Sequence, residues 1–144
     1  MQCFSVQIYE RDSSSARPQG GSLDLRPGLG QHAIRAAGLM DVFEAASRRD
    51  AASFKLRDGQ GRVVPDAGGE THEDAGPEID RGTLRQLLIE AVTLGTIHWD
   101  HTAQDVSRQA DGRWMIAFDG QPPVVADLVV GADGIGSKVR ARLT

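Results

Sequence analysis

Apolar residues recur along this chain with two different periods. Phe4-Ser5-Val6-Gln7-Ile8-Tyr9 alternates, which predicts a short strand ending on the charged trio Glu10-Arg11-Asp12. Leu84, Leu87, Leu88, Ala91 and Val92 fall at i, i+3, i+4, i+7 and i+8, one apolar face of a helix, with Thr83 or Asp80 as its cap. Between them lie a short extended piece, Ser22 to Leu25, and two short helices. The first runs about Leu29 to Ala37 and stops at Gly38; the second runs about Met40 to Ser47. Ser53 to Leu56 and Arg62 to Val64 flank Asp58-Gly59-Gln60-Gly61, a hairpin with its turn signal. Pro65 to Gly76 is a polar, acidic loop. Thr96 to Trp99 predicts a strand, and Thr102–Ser107 pairs with Arg113–Phe118 across the turn at Asp111-Gly112. Val124 to Ala126 then leads to Leu128-Val129-Val130, too short for a helix and suited to a strand buried on both faces. That run breaks on Gly131-Ala132-Asp133-Gly134-Ile135-Gly136, after which Ser137 is expected to cap a basic helical segment, Lys138 to Arg142.

These elements form an α/β pattern with parallel strands, packed helices and a small antiparallel β-meander. A buried strand opening through a Gly-rich turn into a helix is half of a nucleotide-binding unit. The turn lies at the carboxyl end of the strand, where open α/β sheets bind ligands, and the helix start offers free N–H groups to an anion. Asp133 sits in that turn, where simple turn geometry needs no acid. The plainer alternative is a tight turn with no ligand. Glu10 ends another strand, where an acid accepts from adenosine ribose hydroxyls; a solvated Glu after an edge strand is the alternative. Pro27-Gly28-Leu29-Gly30-Gln31-His32-Ala33 formally matches G-x-G-x-x-A. It reads as a decoy, because the piece before it is short and carries Asp24 and Arg26. A first strand and its Gly-rich loop should precede Glu10 by about 20 residues, and nine residues precede it. Residues 1–144 therefore read as a partial nucleotide-binding domain, a fragment or a late start.

Composition narrows the classes. The 144 residues suit one domain with a core, and a net charge of −4 invites neither nucleic acid nor a membrane surface. No apolar run approaches the roughly 20 residues of a membrane span, and the N-terminus lacks a signal layout. The single Cys3 excludes an internal disulfide, so a reducing cytoplasm is the default location. No zinc spacing, Walker loop or Ser/His/Asp set is present. His72 has no second ligand at useful spacing, and His98 and His101, three apart, fall on opposite faces if both lie in one strand. Arg81 and Arg85 are four apart at a helix start, where cations oppose the macrodipole by roughly 0.3–1 kcal/mol each. Either solvent makes that harmless or an anion between them reverses the sign.

Residues 127–142 resemble the Asp-Gly motif of flavoprotein monooxygenases of the p-hydroxybenzoate hydroxylase type, which reads roughly G-A-D-G-x-x-S-x-V-R. Here it stands as Gly131-Ala132-Asp133-Gly134, Ser137, Val139 and Arg140. Gly20-Gly21-Ser22-Leu23-Asp24-Leu25, Gly28-Leu29-Gly30-Gln31 and Ala37-Gly38-Leu39 are similar to the tetracycline-inactivating branch of that family. Arg81-x-x-Leu84-Arg85-x-x-Leu88 resembles the family helix whose Arg binds the flavin, with Arg85 at the matching position and Arg81 as the second candidate. The resemblance spans Tyr9 to Thr144. It implies a partial Rossmann-like FAD/NAD(P)-binding domain, with Glu10, Arg11, Arg17, Asp24, Arg81, Arg85, Asp133 and Gly134 as cofactor-binding positions. It further implies FAD, NAD(P)H as reductant, molecular oxygen, and an aromatic or polycyclic small-molecule substrate. The flavin would supply the chemistry, so no catalytic residue and no metal ligand is assigned. Two parts of the family pattern, the N-terminal Gly-rich loop and the later Gly-Asp motif with the substrate domain, lie outside these residues. A truncated non-catalytic remnant, a nucleotide-binding or interaction module, and an NAD(P)-dependent dehydrogenase fragment are the alternatives. Substrate, nicotinamide preference and oligomeric state are not legible.

Overall fold

In chain order the computed structural model has β1 (Ile8–Tyr9), β2 (Ser22–Asp24), α1 (Gly30–Ala36), α2 (Met40–Ala46), β3 (Glu78–Asp80), α3 (Arg81–Glu90), β4 (Ile97–His98), β5 (Ala103–Arg108), β6 (Trp114–Phe118), β7 (Val124–Ala126) and a 3-10 turn at Arg140–Arg142. Residues 4–15, 20–48, 57–64 and 76–142 are described. The chain divides into two compact units: Pro18–Val92, and Met1–Arg17 with Thr93–Thr144.

The core of the Pro18–Val92 unit is one apolar cluster. Leu25, Ile34, Phe43 and Ile79 are buried in it, and Leu23, Leu39, Met40, Leu84 and Leu87 pack around them. Each helix contributes one stripe: Ile34 from α1, Phe43 from α2, Leu84 and Leu87 from α3. The chain turns sharply between α1 and α2 because Gly38 takes φ +73°. The Gly38 amide then donates to Arg35 O and the Leu39 amide to Ile34 O, both at 3.0 Å, closing the two-bond glycine cap of a helix end. Helices α1 and α2 match their predicted spans to within a residue.

β2 and β3 pair antiparallel, with Leu23 opposite Ile79. An antiparallel β2 is not the buried parallel strand that the glycines at 28 and 30 would need, so the decoy reading of Pro27–Ala33 agrees with the fold. Around Leu25 the packing is close. Its amide donates to Pro77 O at 3.3 Å, and its carbonyl accepts from the buried Gln31 Nε2 at 2.7 Å. A Cβ at Gly76 would lie 2.1 Å from that carbonyl oxygen. α3 begins three residues earlier than its apolar pattern and ends at Glu90. Leu88, expected on the inner face, is 41% exposed. Only the i, i+3 pair Leu84 and Leu87 reaches the cluster. The hairpin predicted around residue 58 lies partly outside the described residues. Its turn is present: Asp58 N donates to Arg62 O, and the Asp58 carboxylate accepts the Gln60 and Arg62 amides, all at 2.9 Å.

In the other unit β1 and β4 pair parallel, Ile8 with Ile97 and Tyr9 with His98. The ladder runs on past the strands, from Glu10 N to His98 O at 2.9 Å and from His101 N to Glu10 O at 2.9 Å. β5, β6 and β7 form the predicted antiparallel meander, with Val106 and Phe118 buried. Its first turn uses Gly112 at φ +87°. Two expectations fail. Leu128 to Val130 is not a strand, and Leu128 and Val130 are 71% and 81% exposed. Apolar composition makes a strand only where a neighbour supplies backbone partners, and no described residue pairs with this run. The segment expected as a helix over Lys138–Arg142 is a single 3-10 turn, Arg140–Arg142.

The histidine geometry also differs from expectation. His98 ends β4, and Asp100 takes φ +59°, so the chain reverses before His101. The two rings therefore meet, with centroids 5.8 Å apart. Tyr9 stacks on His98 at 4.9 Å, and Phe118 meets Tyr9 at 4.8 Å and His101 at 5.1 Å. His98 Nε2 donates to Gln7 Oε1 and His101 Nδ1 to the Trp99 carbonyl. These are packing histidines.

Gly76→Ala is expected to lower stability by about 1–3 kcal/mol, because the new methyl meets backbone rather than a movable side chain. Gly28→Ala, where a Cβ meets nothing within 4 Å, is expected to change it by less than about 0.5 kcal/mol. Urea midpoints of the two variants check this, and equal midpoints would contradict the close packing at Leu25.

Candidate functional site

The Gly131–Arg142 turn is organised by a carboxylate. Asp133 Oδ1 accepts the Ser137 hydroxyl at 2.6 Å. Its Oδ2 accepts the Lys138 amide at 2.6 Å and the Val139 amide at 3.3 Å. Ser137 Oγ in turn accepts the Arg140 amide at 3.0 Å, and Arg140 Nη2 donates to Ile135 O at 2.8 Å. Gly134 provides the reversal, at φ +77°. Gly131 is pressed against Val139, whose Cβ would lie 2.7 Å from an added methyl. The premise that this turn needs no acid is therefore incorrect: Asp133 accepts from three donors of its own turn and so fixes its shape. Nor does it follow a buried strand, since none forms over 128–130. The Ser137 hydroxyl, then the backbone amides, hold the Asp133 carboxyl below the usual carboxylate range. Gly131, Asp133, Gly134, Ser137, Val139 and Arg140 line an open depression of about 300 Å³. The Arg142 guanidinium pairs with Asp105 on β5 and lowers that carboxyl as well.

Glu10 follows β1 directly, as a strand-end acid should, and is half-buried. Its Oε1 accepts the Asp12 amide at 2.9 Å. Arg11 is exposed and sits 3.9 Å from the Asp12 carboxylate. Glu10, Arg11, Asp133 and Gly134 thus belong to one unit.

Asp24, Arg81 and Arg85 belong to the other. Asp24 ends β2, is exposed, and meets Arg26 at 4.0 Å. Arg81 opens α3, and its amide donates to Gly21 O at 3.1 Å, so the loop preceding β2 satisfies one free N–H of the helix start. Arg85 lies one turn on and is half-buried, with Nη1 withdrawn from solvent. Arg17 lies outside the described residues. Asp80 occupies the N-cap position of α3 but makes no cap hydrogen bond with its side chain. Both its oxygens accept instead from Arg48, at 2.9 and 3.1 Å. That fork lowers the Asp80 carboxyl. Arg48 was not singled out in the sequence. The available signal was the pair of acids two apart on β3, Glu78 and Asp80, which share a face and want a cation. Among the described residues, no group of three His, Cys, Asp or Glu is placed to hold a metal.

No family model matches the chain. It is 36% identical over 129 residues to the monooxygenase penA of Penicillium thymicola, a match covering 84% of this chain and 29% of that protein. It is 30% identical over 141 residues to a flavin-dependent monooxygenase of Legionella longbeachae, covering 95% of this chain and 35% of that one. The crystal structure of tetracycline destructase Tet(51) superimposes with a TM-score of 0.66 at 26% identity, over 95% of this chain and 34% of Tet(51). The chain spans about a third of the length of the curated relatives it matches.

The Asp133 network carries a titration of known sign. Its depressed carboxyl contributes stability that is present above the ordinary carboxylate pKa and is lost as pH falls through the folded-state value. Ser137→Ala removes the largest cause and is expected to move the Asp133 titration up towards 3.8. Carboxyl carbon NMR across acid pH reads both proteins, and a titration unmoved by the substitution would refute this account of the turn.

Proposed function

We propose that this chain, which belongs with the FAD-dependent monooxygenases it matches along nearly its whole length, is part of the FAD-binding domain of an NAD(P)H-using enzyme. The enzyme would hydroxylate an aromatic or polycyclic small molecule with molecular oxygen. The observation that carries this is the 30% identity with a flavin-dependent monooxygenase over 95% of the chain. The likeness to a tetracycline destructase supports a polycyclic substrate. The reducing cytoplasm suits the lone Cys3, and among the described residues no helix is long and apolar enough to cross a membrane.

The residues present fit such a cofactor. Glu10 stands at the carboxyl end of a parallel strand, the place of a ribose-binding acid in a Rossmann-like sheet. Arg85 offers a half-buried guanidinium to an anionic or carbonyl-bearing part of the flavin nucleotide, with Arg81 beside it. Arg11, Arg17 and Asp24 are assigned to the same cofactor's periphery by the motifs they share with the family. Gly134 leaves backbone open beside the depression that Asp133, Ser137 and Arg140 line, which suits close approach of a polar ligand. When bound, the flavin supplies the redox and oxygen chemistry. The residues of this chain bind and orient it, and none is given an acid–base role.

Arg85→Ala, in the protein that carries this chain, is expected to weaken FAD binding by about 1.5–3 kcal/mol, a charge-assisted hydrogen bond. Arg85→Lys is expected to recover part of that, since it keeps the charge and loses the planar fork. Fluorescence titration with FAD reads all three proteins. An Ala variant that binds as tightly as the parent would return Arg85 to a packing role.

A further inference from the structure

Asp80 presents an unusual choice. Its backbone, at φ −65° and ψ 136°, is that of a helix N-cap, and aspartate is among the strongest capping residues. A capping carboxylate would accept the amides of Gly82 or Thr83. It does not, because both oxygens are taken by one guanidinium. That guanidinium is held by two carboxylates of β3, and the backbone that carries it is held as well. The Arg48 amide donates to Glu78 O at 2.7 Å, and the Glu78 amide to Arg48 O at 2.9 Å, so the chain just past the Ser47 C-cap of α2 is stitched to β3. The side chain then lies along β3, with Glu78 Oε2 3.8 Å from Nη2. Ser22, across the sheet, donates to that same Glu78 oxygen at 3.1 Å. A planar fork on a carboxylate is the most specific pairing these residue types make.

We propose that Arg48 is a positioning residue, withholding the Asp80 carboxylate from the first turn of α3 so that Arg81 in that turn, and Arg85 one turn on, meet a bound anion rather than that carboxylate. This rests on the reading of Arg85 and Arg81 as cofactor-binding residues. Freed from Arg48, Asp80 has the backbone geometry to swing onto the Gly82 and Thr83 amides. The helix would gain a cap. The same movement would set a negative charge beside Arg81 and at the end of the helix that carries Arg85, where it competes with an anionic ligand for those cations. Arg48 therefore forgoes local helix stability in favour of binding. This differs from a simple surface ion pair, whose two partners are equivalent when either is removed.

That asymmetry is the test. In the protein that carries this chain, Arg48→Met is expected to weaken FAD binding about fivefold, the scale of a charge at a helix start. Asp80→Ala is expected to leave affinity within twofold, and the double variant to recover what Arg48→Met loses. Equal losses in both single variants, with no recovery in the double, would make the pair merely structural and overturn the proposal. A second readout needs no cofactor. In Arg48→Met the Gly82 and Thr83 amide resonances are expected to shift as Asp80 titrates, and in the parent and the double variant they are not. Amides in Arg48→Met that ignore Asp80 would overturn the proposal whatever FAD does. Arg85→Ala with undiminished FAD affinity would instead remove the cofactor reading, leaving the amide titration to decide the role of Arg48. If Arg48→Met fails to fold, Arg48→Lys serves, since one ammonium cannot hold both oxygens and part of the amide shift should remain.

Discussion

The close approach of residues 76–77 to Leu25 is the constraint on which the Pro18–Val92 unit depends. At Leu25, the residue after β2, the start of α1 and the residues leading into β3 come together. Its side chain is in the cluster with Ile34, Phe43 and Ile79, its amide reaches Pro77 and its carbonyl is claimed by Gln31. A buried backbone carbonyl left without a donor is costly, so Gln31 is buried for a reason that its polarity would not suggest. Gly76 is required for the same reason in steric form. Once that contact is made, β3 lies against β2 in a single register, and the first residue of α3 is delivered to the Gly21 carbonyl.

Several carboxylates of this chain are held by donors from nearby backbone or by arginine. Asp58 is lowered first by the Arg62 amide, Asp80 by the Arg48 guanidinium, Asp105 by Arg142, Asp111 by Arg113 and Asp133 by Ser137. Most lie in turns or at element ends, where free N–H groups would otherwise face water alone. They are exposed, so each pair contributes little stability by itself. Their effect is geometric: they choose which way the chain leaves a strand.

The local elements were legible because their signals are local. Helices α1 and α2 lie between glycine stops and apolar spacing that no tertiary contact overrides. The meander follows alternation and the Asp111-Gly112 turn. Part of what failed depended on partners distant in sequence, and part on a single local conformation. The apolar run 128–130 carries a strand pattern, but a ladder requires a neighbour, and periodicity cannot see one. Leu88 belongs to the helical stripe by spacing, yet the cluster is filled by Leu84 and Leu87. His98 and His101 were placed on opposite faces on the assumption of a continuous strand, and one left-handed residue, Asp100, reverses that. Of the candidate site, the motifs supplied the candidate positions, but not the pairing of Asp80 with Arg48, which spans 32 residues of sequence.

The two acids of the proposed nucleotide site are not equivalent. Asp133 accepts through both oxygens from its own turn, from Ser137 on one side and from two amides on the other. A carboxylate so engaged has little left to offer a hydroxyl, and its charge would repel a phosphate placed against it. Its contribution to binding is therefore indirect: it fixes the Gly134 reversal and the placement of Ser137 and Arg140 around the depression. Glu10 is in the opposite situation. One oxygen takes the Asp12 amide, and no described residue hydrogen-bonds the other. It stands half-buried at a strand end whose ladder continues through its own backbone, so its side chain is oriented without being used up. A sugar hydroxyl needs an acceptor of that kind. Of the two strand-and-acid patterns in the sequence, the proposed nucleotide site would draw on Glu10 for direct contact with a ligand and on Asp133 for the shape of the surface around it.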